Sequence, residues 1–349
     1  MSSRRQQGFP PLLLAILLVS LTACAQSGMR YTYPVEPQEQ VVWPAKPGKP
    51  RIKYIGSFSA AEDTGIQKGF FTRLAEFFIG AEDQRLIRPM AVLALNDNEI
   101  YVADPGIKGV HYFNLTDQNY KQIRLTGDFP LPSPVALAVD DQQRVLVADS
   151  SLAQIFMINR EAGIAEQVFL KGNLQQPTGI AFDKINKRLY VVDTTTHSVN
   201  MYDQHGKLLN TIGRRGEQNG QFNYPTYIWL DNQRTLWITD SLNFRVQRFT
   251  TEGKYLGEFG KVGSGSGTFA RPKGVATDKF GHIYIVDSLF HALQIFDKKG
   301  RLLLNIGQQG ENPGHFWLPS GVYIGENSKV YIADSHNQRI QVFQYIGDR

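Results

Sequence analysis

Six aspartates recur at nearly equal spacing along the sequence, and carboxylates are side chains that hold metal ions and transfer protons. They are Asp104, Asp149, Asp193, Asp240, Asp287 and Asp334. Each aspartate ends a short apolar run, as in VYIAD, residues 330–334. An aspartate at the end of a strand can also accept backbone N–H groups of the next turn. Because the aspartate recurs six times in the same sequence context, we expect it to be architectural rather than catalytic.

The seven histidines are the other candidates for chemistry, since imidazole binds zinc and transfers protons. His197 and His291 each lie four residues after a repeated aspartate, so we expect turn residues, with metal ligation as the alternative. No serine nucleophile motif, phosphate loop or paired-cysteine site is found in the sequence. The sequence therefore predicts no catalytic residue, no metal site and no cofactor. The remaining histidines occupy unlike positions: His111, His205, His282, His315 and His336.

Cys24 is the only cysteine, so no intramolecular disulfide can form. It follows a basic segment with Arg4 and Arg5 and an apolar segment over residues 12–19, which together indicate an export signal over residues 1–23. The sequence LTAC resembles a bacterial lipobox, which implies acylation of Cys24 after cleavage. Ala25 in place of aspartate implies sorting to the outer membrane. A plain secretory signal with an incidental cysteine is the alternative.

Residues 24–50 carry five prolines and few aliphatic residues, which predicts an extended tether between the lipid and the folded body. The net charge of +5 falls to +3 when Arg4 and Arg5 leave with the signal. A nucleic-acid-binding protein usually concentrates much more basic charge on one face. We therefore expect a membrane-attached protein that binds no nucleic acid.

The repeated aspartates belong to a unit that occurs six times after residue 88. Each unit opens near a proline, at spacings of 45, 43, 48, 47 and 47 residues. Four apolar runs separated by turn residues fill one period, which is typical of a propeller blade. The sequence thus predicts an all-β, six-bladed β-propeller over residues 51–349, with its repeats over 88–349. The prolines are Pro89, Pro134, Pro177, Pro225, Pro272 and Pro319.

The last unit ends too early to hold a complete fourth strand. RIKYIGSFS, residues 51–59, matches the fourth-strand pattern, so we expect it to complete the last blade and close the ring. Between this strand and the first blade, residues 60–87 contain Phe70, Leu74 and Phe77 at helical spacing. We predict a short amphipathic helix that packs on the propeller, with membrane or partner docking as the alternative.

The first strand of each blade should line a central channel, because it lies nearest the axis. The positions two and four residues after the six prolines hold no acidic residue and no histidine. Most are small, and Tyr227, Trp229 and Tyr323 add an aromatic wall on one side. The channel therefore offers no obvious catalytic group.

These units resemble NHL repeats, whose pattern of aspartate, asparagine, a basic residue and an apolar run is found in DSLNFRVQRF and DSHNQRIQVF. The resemblance covers roughly residues 88–345 and implies a propeller. Gluconolactonase-like propellers hold a divalent metal with Glu, Asn and Asp, and amidating lyases use His-bound zinc. The Glu, Asn and Asp set cannot be mapped onto this sequence, and the histidines discussed above are the only candidates for the zinc set.

Surface recognition is the remaining use of such a disc. The loops leading into the first strands and the turns between the second and third strands should share one rim, where Arg with aromatics favours protein binding. We therefore predict a monomeric, non-catalytic scaffold that binds an envelope protein, or a peptide or glycan. A metal-dependent hydrolase or lyase is the alternative. The predicted rim residues are Arg214, Arg215, Arg245, Arg271, Trp317 and Arg339, whereas Phe222, Phe269 and Phe316 are expected to plug the blade edge.

Overall fold

The apolar runs of the repeats form antiparallel β-strands with short turns between them. The computed structural model of the chain describes residues 40–45, 47–66, 83–125, 129–325 and 327–347. Cys24, the signal segment, most of the tether and the predicted helix around residues 70–77 lie outside the described residues. Within the described ranges, no helix is long and apolar enough to cross a membrane.

Strands make up nearly all the regular structure of the described residues. Short 3₁₀ turns cover Glu62–Thr64, Ser241–Asn243 and Ser335–Asn337. In chain order the strands are β1 (Val42–Trp43), β2 (Ile52–Phe58), β3 (Ala91–Asn96), β4 (Glu99–Asp104), β5 (Gly109–Asn114), β6 (Asn119–Leu125), β7 (Pro134–Val139), β8 (Val145–Asp149), β9 (Gln154–Asn159), β10 (Ile164–Gln167), β11 (Pro177–Asp183), β12 (Arg188–Asp193), β13 (Ser198–Tyr202), β14 (Leu208–Ile212), β15 (Pro225–Leu230), β16 (Thr235–Asp240), β17 (Arg245–Thr250), β18 (Tyr255–Phe259), β19 (Pro272–Thr277), β20 (Ile283–Asp287), β21 (Ala292–Phe296), β22 (Leu302–Ile306), β23 (Val322–Ile324), β24 (Lys329–Asp334) and β25 (Arg339–Tyr345).

Strands that follow one another in the chain pair side by side in three four-stranded sheets, β11–β14, β15–β18 and β19–β22. An eight-stranded sheet has the order β3-β4-β5-β6-β10-β9-β8-β7, in which two such meanders join through the parallel pair β6 and β10. A five-stranded sheet has the order β1-β2-β25-β24-β23. In it β2, from the N-terminal side, lies beside the last strand, with Ile52 opposite Tyr345.

The first strand of each four-stranded unit contacts the first strand of the next. The contacts follow the order β3, β7, β11, β15, β19 and β23, and β23 in turn contacts β3. Glycine permits this close approach, because a Cβ on Gly274 would lie 2.6 Å from the Ser320 carbonyl oxygen of the next unit. Gly179 and Gly321 face neighbouring backbone in the same way. The sheets therefore have a propeller-like arrangement around their first strands.

The core lies between neighbouring sheets. The second strand of each unit is buried on both faces, as in β20, whose five residues are all buried. One cluster joins Tyr190 and Val192 of β12 to Ile228 and Leu236 of the following sheet. Each large side chain that is fully buried contributes about 1.5–3 kcal/mol, so the interfaces between sheets supply much of the stability.

The repeated aspartates fix the loops to the strands, as the sequence predicts. All six are fully buried. Asp104 accepts N–H groups from Ile87 and Arg88 before the first strand and from Gly106 in the turn. Asp287 accepts four N–H groups in a similar arrangement. The residue four positions after each aspartate has a left-handed φ between 51° and 56°, which reverses the chain into the third strand.

Candidate functional site

One end of every four-stranded unit carries the proline that opens the first strand and the aspartate that closes the second. Pro225 pairs with Asp240, and Asp240 pairs with Arg245 at the start of the third strand. The loops leading into the first strands and the turns after the aspartates therefore share one side of the molecule, which we call the proline face. This arrangement agrees with the shared rim expected from the sequence.

Two predicted rim arginines are committed to internal bonds. Arg245 is 7% exposed and bonds Asp240 at 2.9 Å and Glu258 at 2.8 Å. Arg339 bonds Asp334 at 2.8 Å and donates to backbone carbonyls of the loop before Trp317. Both arginines hold loops in place, so they leave no free guanidinium for a partner.

Other predicted rim residues do face solvent. Arg214 and Arg215 are exposed, and neither side chain forms a hydrogen bond or ion pair with the described residues. Trp317 is 41% exposed, with its ring centroid 5.6 Å from that of His336. Arg271 is exposed and lines a pocket that opens on the proline face.

Further apolar residues of the proline face are exposed and were not predicted from the sequence, among them Tyr224, Leu242 and Leu289. Tyr224 is 40%, Leu242 44% and Leu289 51% exposed. A leucine two residues after the repeated aspartate, as in DSLN and DSLF, is the signal that could have identified Leu242 and Leu289. Together with Trp317, they give the proline face large apolar side chains beside free cations.

The three loop phenylalanines have the structural role that the sequence favours. Phe222, Phe269 and Phe316 are each 0% exposed. Phe269 packs against Phe296 with ring centroids 5.6 Å apart. Their buried rings fix the loops to the sheets and are not available to a partner.

The histidines after the aspartates bond between repeats. His197 Nδ1 accepts the N–H of Tyr224 at 3.1 Å, and His291 Nδ1 accepts the N–H of Leu318 at 3.1 Å. Burial lowers the pKa of both imidazoles and favours the neutral form that can accept these bonds. The part of the chain that the structure describes contains no group of three or more His, Cys, Asp or Glu side chains placed to hold a metal ion.

The channel contains a pocket of about 490 Å³, lined mainly by the middle and far ends of the first strands. The predicted aromatic residues all line it. Trp229 donates to Thr277 Oγ1 at 3.0 Å and meets Tyr323 edge to face at 5.7 Å. The Tyr227 hydroxyl donates to the carbonyl of Met90 at 2.9 Å. Because Met90 precedes β3 and Tyr227 belongs to β15, this bond crosses the channel.

A second pocket, of about 380 Å³, opens on the proline face. Arg88, Arg271, Lys273 and His336 line it, and its lining includes no carboxylate. Burial, reinforced by the charges of Arg271 and Arg88, lowers the pKa of Lys273 to about 8. We call this cavity the proline-face pocket. Lys273 was not predicted from the sequence, although it lies directly after the proline, where the other units have Met, Val, Thr or Ser.

Residues 316–343 match the NHL repeat family. A protein of unknown function from Bacteroides thetaiotaomicron has a similar structure, with 17% identity over 83% of this chain and 75% of its own and a TM-score of 0.60. An auxiliary nutrient binding protein from the same species is 14% identical over 75% of this chain and 70% of its own, with a TM-score of 0.59.

Virginiamycin B lyase from Staphylococcus aureus is also similar in structure, with 14% identity over 74% of this chain and 95% of its own and a TM-score of 0.54. No curated protein matches the sequence. At such low identities the likeness extends to the fold alone.

Proposed function

Because the chain is a β-propeller protein that carries an NHL repeat, we propose that it is a non-catalytic scaffold whose proline face binds a protein partner in the cell envelope. The observation that carries the proposal is the exposure of Tyr224, Leu242, Leu289 and Trp317 on one face. Protein interfaces combine such side chains with arginine.

We further propose that the scaffold is a six-bladed ring completed by β2. The cyclic order of contacts among the first strands supports six units, with the eight-stranded sheet counted as two. The pairing of β2 with β25 supplies a fourth strand to the last unit. A rigid ring of this kind holds the loops of the proline face in fixed relative positions.

A lipid on Cys24 would attach this scaffold to a membrane, most simply the outer membrane of a bacterial envelope, with residues 24–50 as the tether. The support comes from the LTAC sequence and its preceding basic and apolar segments. Replacement of Cys24 by Ser tests the anchor. We expect the wild-type chain in the membrane fraction and Cys24→Ser in the soluble fraction after export. Equal membrane recovery of both would refute it.

A protein is the proposed partner, and a peptide or glycan is the alternative ligand for a monomeric propeller. The similarity to an auxiliary nutrient binding protein is consistent with a binding role. A photo-crosslinking residue at position 317 tests the surface in cells that make the full chain. We expect discrete protein adducts from position 317 that are lost in a Tyr224→Ala background.

Position 280 is the matched control, because Phe280 is 46% exposed and lies beyond the far end of β19 from the proline face. Adducts of equal yield from both positions, or none from position 317, would refute the proposed surface.

Metal analysis of the purified chain tests the alternative function, a metal-dependent hydrolase or lyase. A divalent ion retained at one equivalent would support a hydrolase or lyase instead of a scaffold.

A further inference from the structure

The proline-face pocket concentrates positive charge without visible compensation. Arg88, Arg271 and Lys273 line it together, and no aspartate or glutamate is among its lining residues. Among the residues that the structure describes, none of these three side-chain cations forms a hydrogen bond or ion pair. The nearby Asp104 and Asp287 are fully buried and accept backbone N–H groups.

Lys273 replaces a hydroxyl that other repeats use for internal bonding. Thr226 pairs with Ser241 at 2.7 Å, and Ser320 pairs with Ser335 at 2.8 Å, each joining the first strand to the turn after the aspartate. In the β19 unit the equivalent positions are Lys273 and Ser288. Neither side chain forms a hydrogen bond within the described ranges. The lysine therefore adds charge at a place where a neutral pair satisfies the architecture.

This arrangement raises the energy of the empty pocket. Desolvation disfavours a charged ammonium, and like charges repel. Both effects act on Lys273, since burial and the two arginines lower its pKa. A bound anion would offset both. Two planar guanidinium groups are suited to paired bonds with the oxygens of one oxyanion, and a lysine adds a point charge.

We propose that the proline-face pocket binds the phosphate group of a small soluble phosphate ester. Three cations match the charge of a doubly charged phosphate better than they match the charge of a single carboxylate. The Ser288 hydroxyl offers a further donor. The volume of about 380 Å³ lies in the range of small-molecule sites, and Met90, Val135 and Leu289 supply apolar walls for the rest of the ligand.

The site does not rest on the proposed protein partner. Its core is Lys273 in the proline-face pocket, and of the four apolar residues that define the partner surface only Leu289 also lines that pocket. Lys273→Ser should leave crosslinking from position 317 unchanged. Tyr224→Ala should leave phosphate binding unchanged, so the two proposals can fail separately.

The test uses the full chain and measures thermal unfolding and calorimetric binding with inorganic phosphate, glucose 6-phosphate and glucose. We expect both phosphates to bind and raise the melting temperature, whereas glucose, or chloride at equal ionic strength, does not. Lys273→Ser should weaken glucose 6-phosphate binding by about tenfold or more, as loss of a charge-assisted bond implies. This variant recreates the Ser–Ser pair of the last unit, so it should fold without loss of stability.

Lys279→Ser is the matched control, because Lys279 is exposed beyond the other end of β19 and lines the channel pocket instead. It should bind glucose 6-phosphate like the wild type. Equal binding by Lys273→Ser and wild type would overturn the proposal, as would no phosphate-specific stabilisation. Binding only to vesicles containing phosphatidic acid, with none to glucose 6-phosphate, would overturn the soluble ester as ligand.

Discussion

Replacement of Gly321 by Ala should destabilise the protein through the contact between the last and first units. A Cβ at this position would lie 2.6 Å from the Met90 carbonyl oxygen and 3.1 Å from Ala91 Cα. Both are backbone atoms, so a strand must shift to accommodate the methyl group. Overpacking of this kind costs about 1–3 kcal/mol. With a urea slope of about 3 kcal/mol/M, the unfolding midpoint should fall by roughly 0.3–1 M.

Gly325→Ala is the matched control four residues further along. Its Cβ would meet only Tyr331 at 3.7 Å and a carbonyl oxygen at 3.9 Å. Its φ lies outside the left-handed region, so stability should stay the same or rise by up to about 1 kcal/mol. Gly274→Ala should behave like Gly321→Ala, since its Cβ also lies 2.6 Å from a carbonyl. If Gly321→Ala matched the control while Gly274→Ala was destabilised, the contact between the last and first units would be wrong.

Three more predictions concern the loops. Asp287→Asn should lower the free energy of unfolding by about 1–3 kcal/mol, because its amide leaves a buried N–H unsatisfied; chemical denaturation checks this, and an unchanged midpoint would contradict it. Phe269→Ala should cost about 3–5 kcal/mol by the same assay, whereas a loss below that of an exposed Val262→Ala control would argue against the plug. His197 and His291 have a lowered pKa when folded, so their contribution to stability is present above their ordinary pKa and is lost as pH falls through the folded value. The urea midpoint should therefore drop between about pH 7 and 5.5, and less so in a variant with both residues changed to Gln.

The periodic features of this protein could be predicted from the sequence because each is repeated. Recurrence of Asp104 and its equivalents identified the strands, the turn positions and an architectural role for the carboxylate. The burial of Phe222, Phe269 and Phe316 could be predicted for the same reason. A residue type that recurs in every unit has a role in the strands and turns that all units share.

The site was harder to predict because it depends on departures from the repeat. Arg245 and Arg339 were predicted as rim residues, yet their side chains bond to Asp240 and Asp334, five residues earlier. Charge and position alone could not distinguish a guanidinium bonded within its own unit from a free one. Lys273 was not predicted, because part of its charged environment comes from Arg88, which lies far from it in the sequence.

The pairing of Ile52 with Tyr345 bears on how the protein acquires its structure. The two strands lie almost 300 residues apart in sequence. Bringing them together therefore carries a large loss of chain entropy unless the segment between them is already ordered. Contacts of such long range slow folding, and this sheet cannot assemble on a nascent chain until β25 has left the ribosome. Loss of β25 would leave β2 without this partner and expose an unpaired β24 edge, which is a hazard for aggregation.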